Sequence, residues 1–381
     1  MKTTSPLAIG TRLDEYSHFQ DDRTGARIHQ LSNHASINHS LFFLTPSFRP
    51  GHPDQIAWVT HRGGFPQACL FDFSKKQSQV LTSQSNMQAF SAAFSGDGAY
   101  LYYSTTACEI RRLHIDTLED ESIVALPDHH LGECSLNSDD THLVTAAKHG
   151  NTHAVIVLDI QARQAKVIHE AAFKIIHPQF HPTNPNLIEY AGDPAPRLWS
   201  IERDGSKNQN LYLNTDKEFF VHESFLGKSD DLIFAIWPYR LCRLNIHDKK
   251  LKTIVDLNAW HMSSNRDGTQ IVSDTIHPDR GLVLIDPDTG TWKPLCFPNA
   301  SSQGSQWKQD RPAGEDVWNG IRGEDGKALS WMEMKIDSVY GPQWTHPHPA
   351  YNEAGNRVTY TSDRDGHPQV YIVDIPKNLC S

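Results

Sequence analysis

The sequence predicts an all-β chain folded as one seven-bladed β-propeller. Three observations predict it: a turn-then-strand pattern recurs seven times, each recurrence holds about four short strands, and an N-terminal strand matches a missing strand near the C-terminus.

The recurring pattern starts at Phe48, Phe94, Leu136, Phe180, Phe225, Ser264 and Tyr351. A turn rich in Asp, Gly, Asn or Pro follows each, as in Phe94-Ser-Gly-Asp-Gly, and then an apolar strand such as Tyr100-Leu-Tyr-Tyr-Ser. A second strand pair completes each unit; Leu282-Val-Leu-Ile-Asp-Pro-Asp-Thr-Gly-Thr-Trp carries an Asp-Thr-Gly hairpin turn. The units recur at roughly the 40–45 residues of a propeller blade. A β-sandwich uses the same turns, but not seven similarly spaced copies with one internal order.

The last copy lies far from the sixth. The excess falls in Phe297 to Val339, a polar stretch read as an insertion or lid over one face of a single domain spanning 1–381. Only one strand, Gln369-Val-Tyr-Ile-Val-Asp-Ile, follows the last repeat. The run Ala26-Arg-Ile-His-Gln-Leu-Ser supplies the outer strand and closes the ring, which covers two sheet edges.

Composition narrows the function. A net charge of −10 argues against a broad nucleic-acid or membrane-surface footprint. The six cysteines include no Cys-x-x-Cys pair, Met1 to Ile28 has no signal-peptide pattern, and no stretch approaches 18 apolar residues. These features predict a soluble cytoplasmic protein with reduced thiols.

In a four-stranded blade the first strand lines the axis. Three residues before the seven repeat starts stand Thr45, Ser91, Glu133, His177, His222, His261 and His348, so four of the seven register positions are histidine. Ring closure aims these side chains at one mouth of the channel. A single channel histidine is most simply a hydrogen-bonded filler, but a matched set is harder to explain that way. Gln343-Trp-Thr-His-Pro-His-Pro strengthens the case, because its prolines disfavour helix and place His346 and His348 on one face of an extended segment. Gln343, His346, His348 and His261 then form four neutral ligands for a divalent metal. Nitrogen-rich ligation suits a first-row transition metal better than calcium. Arg197 opens the third strand of its blade, and Glu223 beside His222 is expected on the opposite strand face as a packing or ion-pair residue. No Gly-x-Ser-x-Gly elbow, phosphate loop or dinucleotide fingerprint occurs.

Over nearly its whole length the chain resembles the oligogalacturonate lyases of polysaccharide lyase family 22. The resemblance rests on Gln343-Trp-Thr-His-Pro-His-Pro, Trp260-His-Met-Ser-Ser-Asn-Arg-Asp-Gly-Thr, Val221-His-Glu and Arg197-Leu-Trp-Ser-Ile-Glu-Arg-Asp-Gly. It implies a seven-bladed propeller whose metal, usually manganese, is held by His261, Gln343, His346 and His348. It also implies His222 as catalytic base, Arg197 as its assistant, and β-elimination on a small acidic oligosaccharide. His177 and His39 are candidate substrate contacts. The family's His-Arg-Asn-Tyr segment reads His39-Ser-Leu-Phe here, which bears on substrate contacts at that point. The alternatives are a lyase for a different uronate oligosaccharide and a non-enzymatic propeller scaffold. A calcium-dependent lactonase is disfavoured because its usual carboxylate and Asn ligands are missing.

Overall fold

The computed structural model describes residues 5–84, 86–215, 217–303, 335–341, 344–377 and 379. Seven antiparallel sheets are arranged in a ring as the seven blades of a β-propeller, and each innermost strand lines the axis. The third blade sets the pattern: His130–Leu136 is innermost, followed outward by His142–His149, Thr152–Asp159 and Gln164–Ala171.

Ring closure follows the expected route. Arg27–Gln30 pairs antiparallel with Gln369–Asp374, with Ile28 opposite Val373 and His29 opposite Ile372. Ser17–Gln20 then adds a fifth strand to the seventh blade, and Arg12–Leu13 adds one to the outer edge of the first. One stretch of chain thus covers the edges of two neighbouring blades.

The blades adhere through seven apolar cores, one at each blade–blade junction. The strand Thr152–Asp159 explains the apolar runs read from sequence. Its Ala154, Ile156 and Leu158 pack toward the second blade, while the alternating Val155 and Val157 pack toward the fourth. A blade sheet is buried on both faces, so its middle strands read as continuous apolar runs rather than polar–apolar alternations. The junction that closes the ring joins Trp58, Phe71 and Val80 of the first blade to Val370 and Ile372 of the seventh.

An eighth apolar cluster lies over the channel rather than between blades. Phe42, Phe43, Ala89, Phe90, Val339 and Tyr340 form it. The first blade makes this possible because its inner strand Asn38–Ser40 leaves the sheet at Leu41 and rejoins it where Phe48 bridges Ile56. Thr45 therefore sits in a turn, its amide bonded to the Phe42 carbonyl, rather than on an inner strand. The excursion delivers Phe42 and Phe43, only 2% and 3% exposed, to the axis.

Of the expected insertion at 297–339, residues 304–334 lie outside the described residues. Its two ends are tied together where Thr345 N donates to Ser301 Oγ at 2.9 Å and Ser302 Oγ donates to the Thr345 carbonyl at 2.7 Å. A short helix, Asp337–Tyr340, overlaps its C-terminal end and carries Tyr340 into the axial cluster. Cys69, Cys108, Cys134, Cys242 and Cys296 are free thiols, and Cys380 lies outside the described residues. Among the described residues no helix is long and apolar enough to cross a membrane.

Ile28, fully buried in the closing strand, tests the closure. Ile28→Ala is expected to destabilise the protein by about 2–5 kcal/mol, measured by urea unfolding. Val167→Ala, on a partly exposed outer strand, should stay within ~0.5 kcal/mol of the parent.

Candidate metal centre and neighbouring histidines

The inner strands of the third to sixth blades share one departure from regular pairing. Register slips between Leu131 and Cys134, Ile176 and Gln179, Val221 and Ser224, and Ala259 and Met262. Each slip is a bulge, and each contains the residue read as axial: Glu133, His177, His222 or His261. His177, His222 and His348 also adopt positive φ, at 57°, 59° and 46°. Non-glycine residues rarely take that conformation, and it concentrates at functional positions. His346 and His348 therefore do not meet by simple strand alternation, since the backbone turns left-handed at His348.

Ring closure brings His261, His346 and His348 together, with one ligand atom from each lying within 4.8 Å of the others. His261 Nε2 and His348 Nε2 stand 2.9 Å apart. Other groups fix the far sides of the rings: His261 Nδ1 is 2.8 Å from Asp274 Oδ2, and His348 Nδ1 is bonded to the Tyr340 hydroxyl. His346 Nδ1 meets Trp260 Nε1 at 3.3 Å, a long bond that cation binding can exchange. When Asp274 is ionised, His261 donates from Nδ1 and presents its Nε2 lone pair to the site.

Burial lowers the basicity of all three imidazoles. His346 falls to about 4, Asp274 acting in the opposite sense, and His261 and His348 fall well below the usual value with help from neighbouring histidines. Neutral rings with converging nitrogens are what a transition-metal cation needs. Burial pushes Asp274 up to about 7, against the hydrogen bond from the His261 amide. A cation held by His261 would pull Asp274 back toward its carboxylate form. Three imidazoles backed by a carboxylate, a phenol and an indole thus fit a first-row divalent ion. Gln343, the fourth expected ligand, lies outside the described residues.

His222 stands beside this trio, its ring 4.2 Å from that of His261. Its Nδ1 lies 2.8 Å from the Trp260 carbonyl, which can only accept, so Nδ1 carries the proton and the neutral ring has its lone pair on Nε2. Burial first, then His261 and His177, keeps His222 well below its usual pKa and hence neutral.

Arg197 and Glu223 form a bidentate ion pair, Nε to Oε2 and Nη2 to Oε1, both at 3.1 Å. Glu223 is an ion-pair residue, as its position beside His222 predicts, but it reaches the fourth blade next to the site. Burial raises its pKa, and Arg197 and His177 more than offset this, leaving it well below the carboxylate range. Glu189 behaves oppositely: burial and the charge on Glu223 hold it well above that range. The pair therefore carries one negative charge, which sits on Glu223. His177 Nδ1 lies 3.3 Å from Glu223 Oε1, and the His177 amide donates to Glu133 Oε1 at 2.5 Å. His39 is fully buried, stacked on Tyr340 at 4.4 Å with Nδ1 2.8 Å from the Ser40 carbonyl.

Phe43 packs against four of these histidines, its ring centre 5.3 to 5.8 Å from those of His177, His222, His261 and His348. Reading the sequence missed Phe43, Tyr340 and Asp274. Asp274 had a visible signal, a lone acid ending the strand run Gln270-Ile-Val-Ser-Asp. Phe43 had none.

Fold and site together define a seven-bladed propeller with an axial histidine cluster suited to a cation. The chain resembles oligogalacturonate lyases along its full length. It is 22% identical to the oligogalacturonide lyase of Pectobacterium atrosepticum and 22% identical to the oligogalacturonate lyase of Dickeya dadantii, covering 98% of this chain and 100% of each relative. An oligogalacturonate lyase solved in complex with manganese shares the fold at a TM-score of 0.81 and 18% identity, and one from Vibrio parahaemolyticus at 0.79 and 20%. Both alignments cover 98% of this chain and 100% of the solved one. No family model matches the chain.

Asp274→Asn tests the support behind His261. Its amide cannot accept from both the His261 backbone and ring, so manganese affinity should fall about 10- to 100-fold by calorimetric titration, with the fold retained.

Proposed function

We propose that the protein is a metal-dependent lyase that cleaves short oligogalacturonides by β-elimination. The observation that carries this reading is the neutral trio His261, His346 and His348, its ligand atoms within 4.8 Å, lying directly beside a fourth imidazole, His222, whose lone pair is fixed on Nε2. The full-length similarity to oligogalacturonate lyases supports it. Manganese is the metal we assign, with Gln343 as a further ligand. When bound, the ion would act as a Lewis acid toward the uronate carboxylate, making the neighbouring C5 proton more acidic.

The chain's own groups do the rest. Arg197 uses Nε and Nη2 on Glu223, which holds the guanidinium rigid, and its remaining nitrogen Nη1 is the one we assign to the substrate carboxylate. Neutral His222 takes the C5 proton at Nε2. The C5–H electron pair becomes the C4–C5 double bond, and the C4–O4 bond breaks to give an unsaturated uronate. Because the Arg197–Glu223 pair is neutral overall, uncompensated positive charge at the carboxylate comes from the ion. His39 acts behind Tyr340, which it stacks on, and His177 meets the substrate. The acidic net charge argues against nucleic acid or an anionic membrane surface as the partner, and we assign a cytoplasmic setting and a small acidic sugar met by the local ion and Arg197.

A second reading, a lyase for a different uronate oligosaccharide, has one specific support. Phe42, which ends the stretch His39-Ser-Leu-Phe where the resembling family has His-Arg-Asn-Tyr, and its neighbour Phe43 lie against the histidines.

Incubation with digalacturonate and manganese, followed at the absorbance band of unsaturated uronates, tests the assignment. Turnover is expected, and His222→Ala should reduce kcat about 10²- to 10⁴-fold while manganese stoichiometry stays unchanged. Loss of bound metal in that variant contradicts the role given to His222. Metal-loaded protein inert toward every uronate oligosaccharide removes the lyase reading. Turnover of another uronide in preference to digalacturonate selects the second.

A further inference from the structure

Elimination leaves one proton transfer unassigned. When C4–O4 breaks, O4 departs as a sugar alkoxide, a poor leaving group unless a proton reaches it in the transition state. We propose that His177 is the catalytic acid that delivers this proton, so that His177 and His222 form an acid–base pair across the substrate. The inference rests on the lyase reading above.

Position is the first argument. His177 and His222 hold the same register on adjacent inner strands, their rings 6.5 Å apart and inclined by 26°. Both stand edge-on to Phe43, at 5.5 and 5.3 Å, so they flank that ring from two sides. The C5 proton and O4 sit on neighbouring carbons, about 3 Å apart. Two nitrogens, each about 3 Å from its reacting atom, would then stand roughly 6–9 Å from one another.

The backbone is the second argument. Among the register residues only His177, His222 and His348 take positive φ. Two of these three are the proposed base and a proposed metal ligand. A histidine that merely filled the channel would not need the same strained, bulged conformation.

Partners are the third argument, and they assign the roles. His222 Nδ1 faces the neutral carbonyl of Trp260 at 2.8 Å, which orients a neutral ring. His177 Nδ1 faces the carboxylate of Glu223 at 3.3 Å, a group that can only accept, so Nδ1 donates and the ring is held by the same carboxylate that grips Arg197. The same carboxylate grips Arg197, so one buried group sets both the residue that holds the substrate carboxylate and the residue that protonates the leaving oxygen.

The step balances. The C5–H pair forms the C4–C5 double bond, the C4–O4 pair leaves on O4, and O4 takes a proton from His177 Nε2. His222 gains one proton and His177 loses one, and exchange with solvent restores both before the next turnover.

The test compares two substrates on the same protein samples with manganese. One is digalacturonate, whose leaving group needs a proton. The other is a methyl galacturonide carrying 4-nitrophenoxide at C4, which leaves without one. His177→Gln is expected to lower kcat/KM on digalacturonate about 10²- to 10⁴-fold and on the nitrophenyl substrate less than about tenfold. His222→Ala should fail on both. Since each comparison is a ratio within one sample, a reduced folded fraction cancels. Equal losses on the two substrates for His177→Gln, or no loss on digalacturonate, overturn the acid role while leaving the lyase reading intact. Parent protein inert on both overturns the lyase reading and this inference with it.

Discussion

The site depends on a bulge repeated in the inner strands of four successive blades. A regular strand sends alternate side chains to opposite sheet faces, so consecutive residues cannot serve one site. The bulge suspends that rule for two residues. In the fifth blade it lets His222 meet His261 of the sixth blade while Glu223, next in sequence, meets Arg197 of the fourth. In the sixth blade it lets the Trp260 carbonyl orient His222 while His261 joins His348. Backbone geometry, more than residue choice, knits neighbouring blades into one pocket.

Burial then sorts the charges. Burial keeps His222, His261, His346 and His348 neutral, which makes them ligands and a base rather than a cationic wall. The Arg197–Glu223 pair beside the site cancels itself and serves as a fixed frame. Glu189, a like charge nearby, responds by keeping its proton. Neutral imidazoles and a self-cancelling ion pair leave the site set to respond strongly to a bound cation and anion.

How far the sequence was legible follows from the same geometry. Blade number and closure were readable because turns and apolar runs repeat and because the last repeat lacks an outer strand, which the run around Ile28 supplies opposite Val373. His177, His222, His261 and His348 were readable from one register because their four blades meet the axis at an equivalent place. The bulges were not readable, since an extra residue in a strand leaves no composition signal. Phe43 escaped for a related reason: the first blade breaks the register after Ser40, and nothing in Leu-Phe-Phe-Leu distinguishes a core segment from one folded into the channel. Asp274 and Tyr340 act through the rings they touch, and such partners become visible only in three dimensions.

The closing strand also sets a timetable. Arg27–Gln30 leaves the ribosome roughly 340 residues ahead of its partner Gln369–Asp374, a delay of about 20–70 s at ~5–20 residues per second. For that interval the N-terminal strand has an unpaired edge while the intervening blades stack one by one. His261 must therefore wait for His348 to be made, and the pocket comes into being only after six blades have stacked.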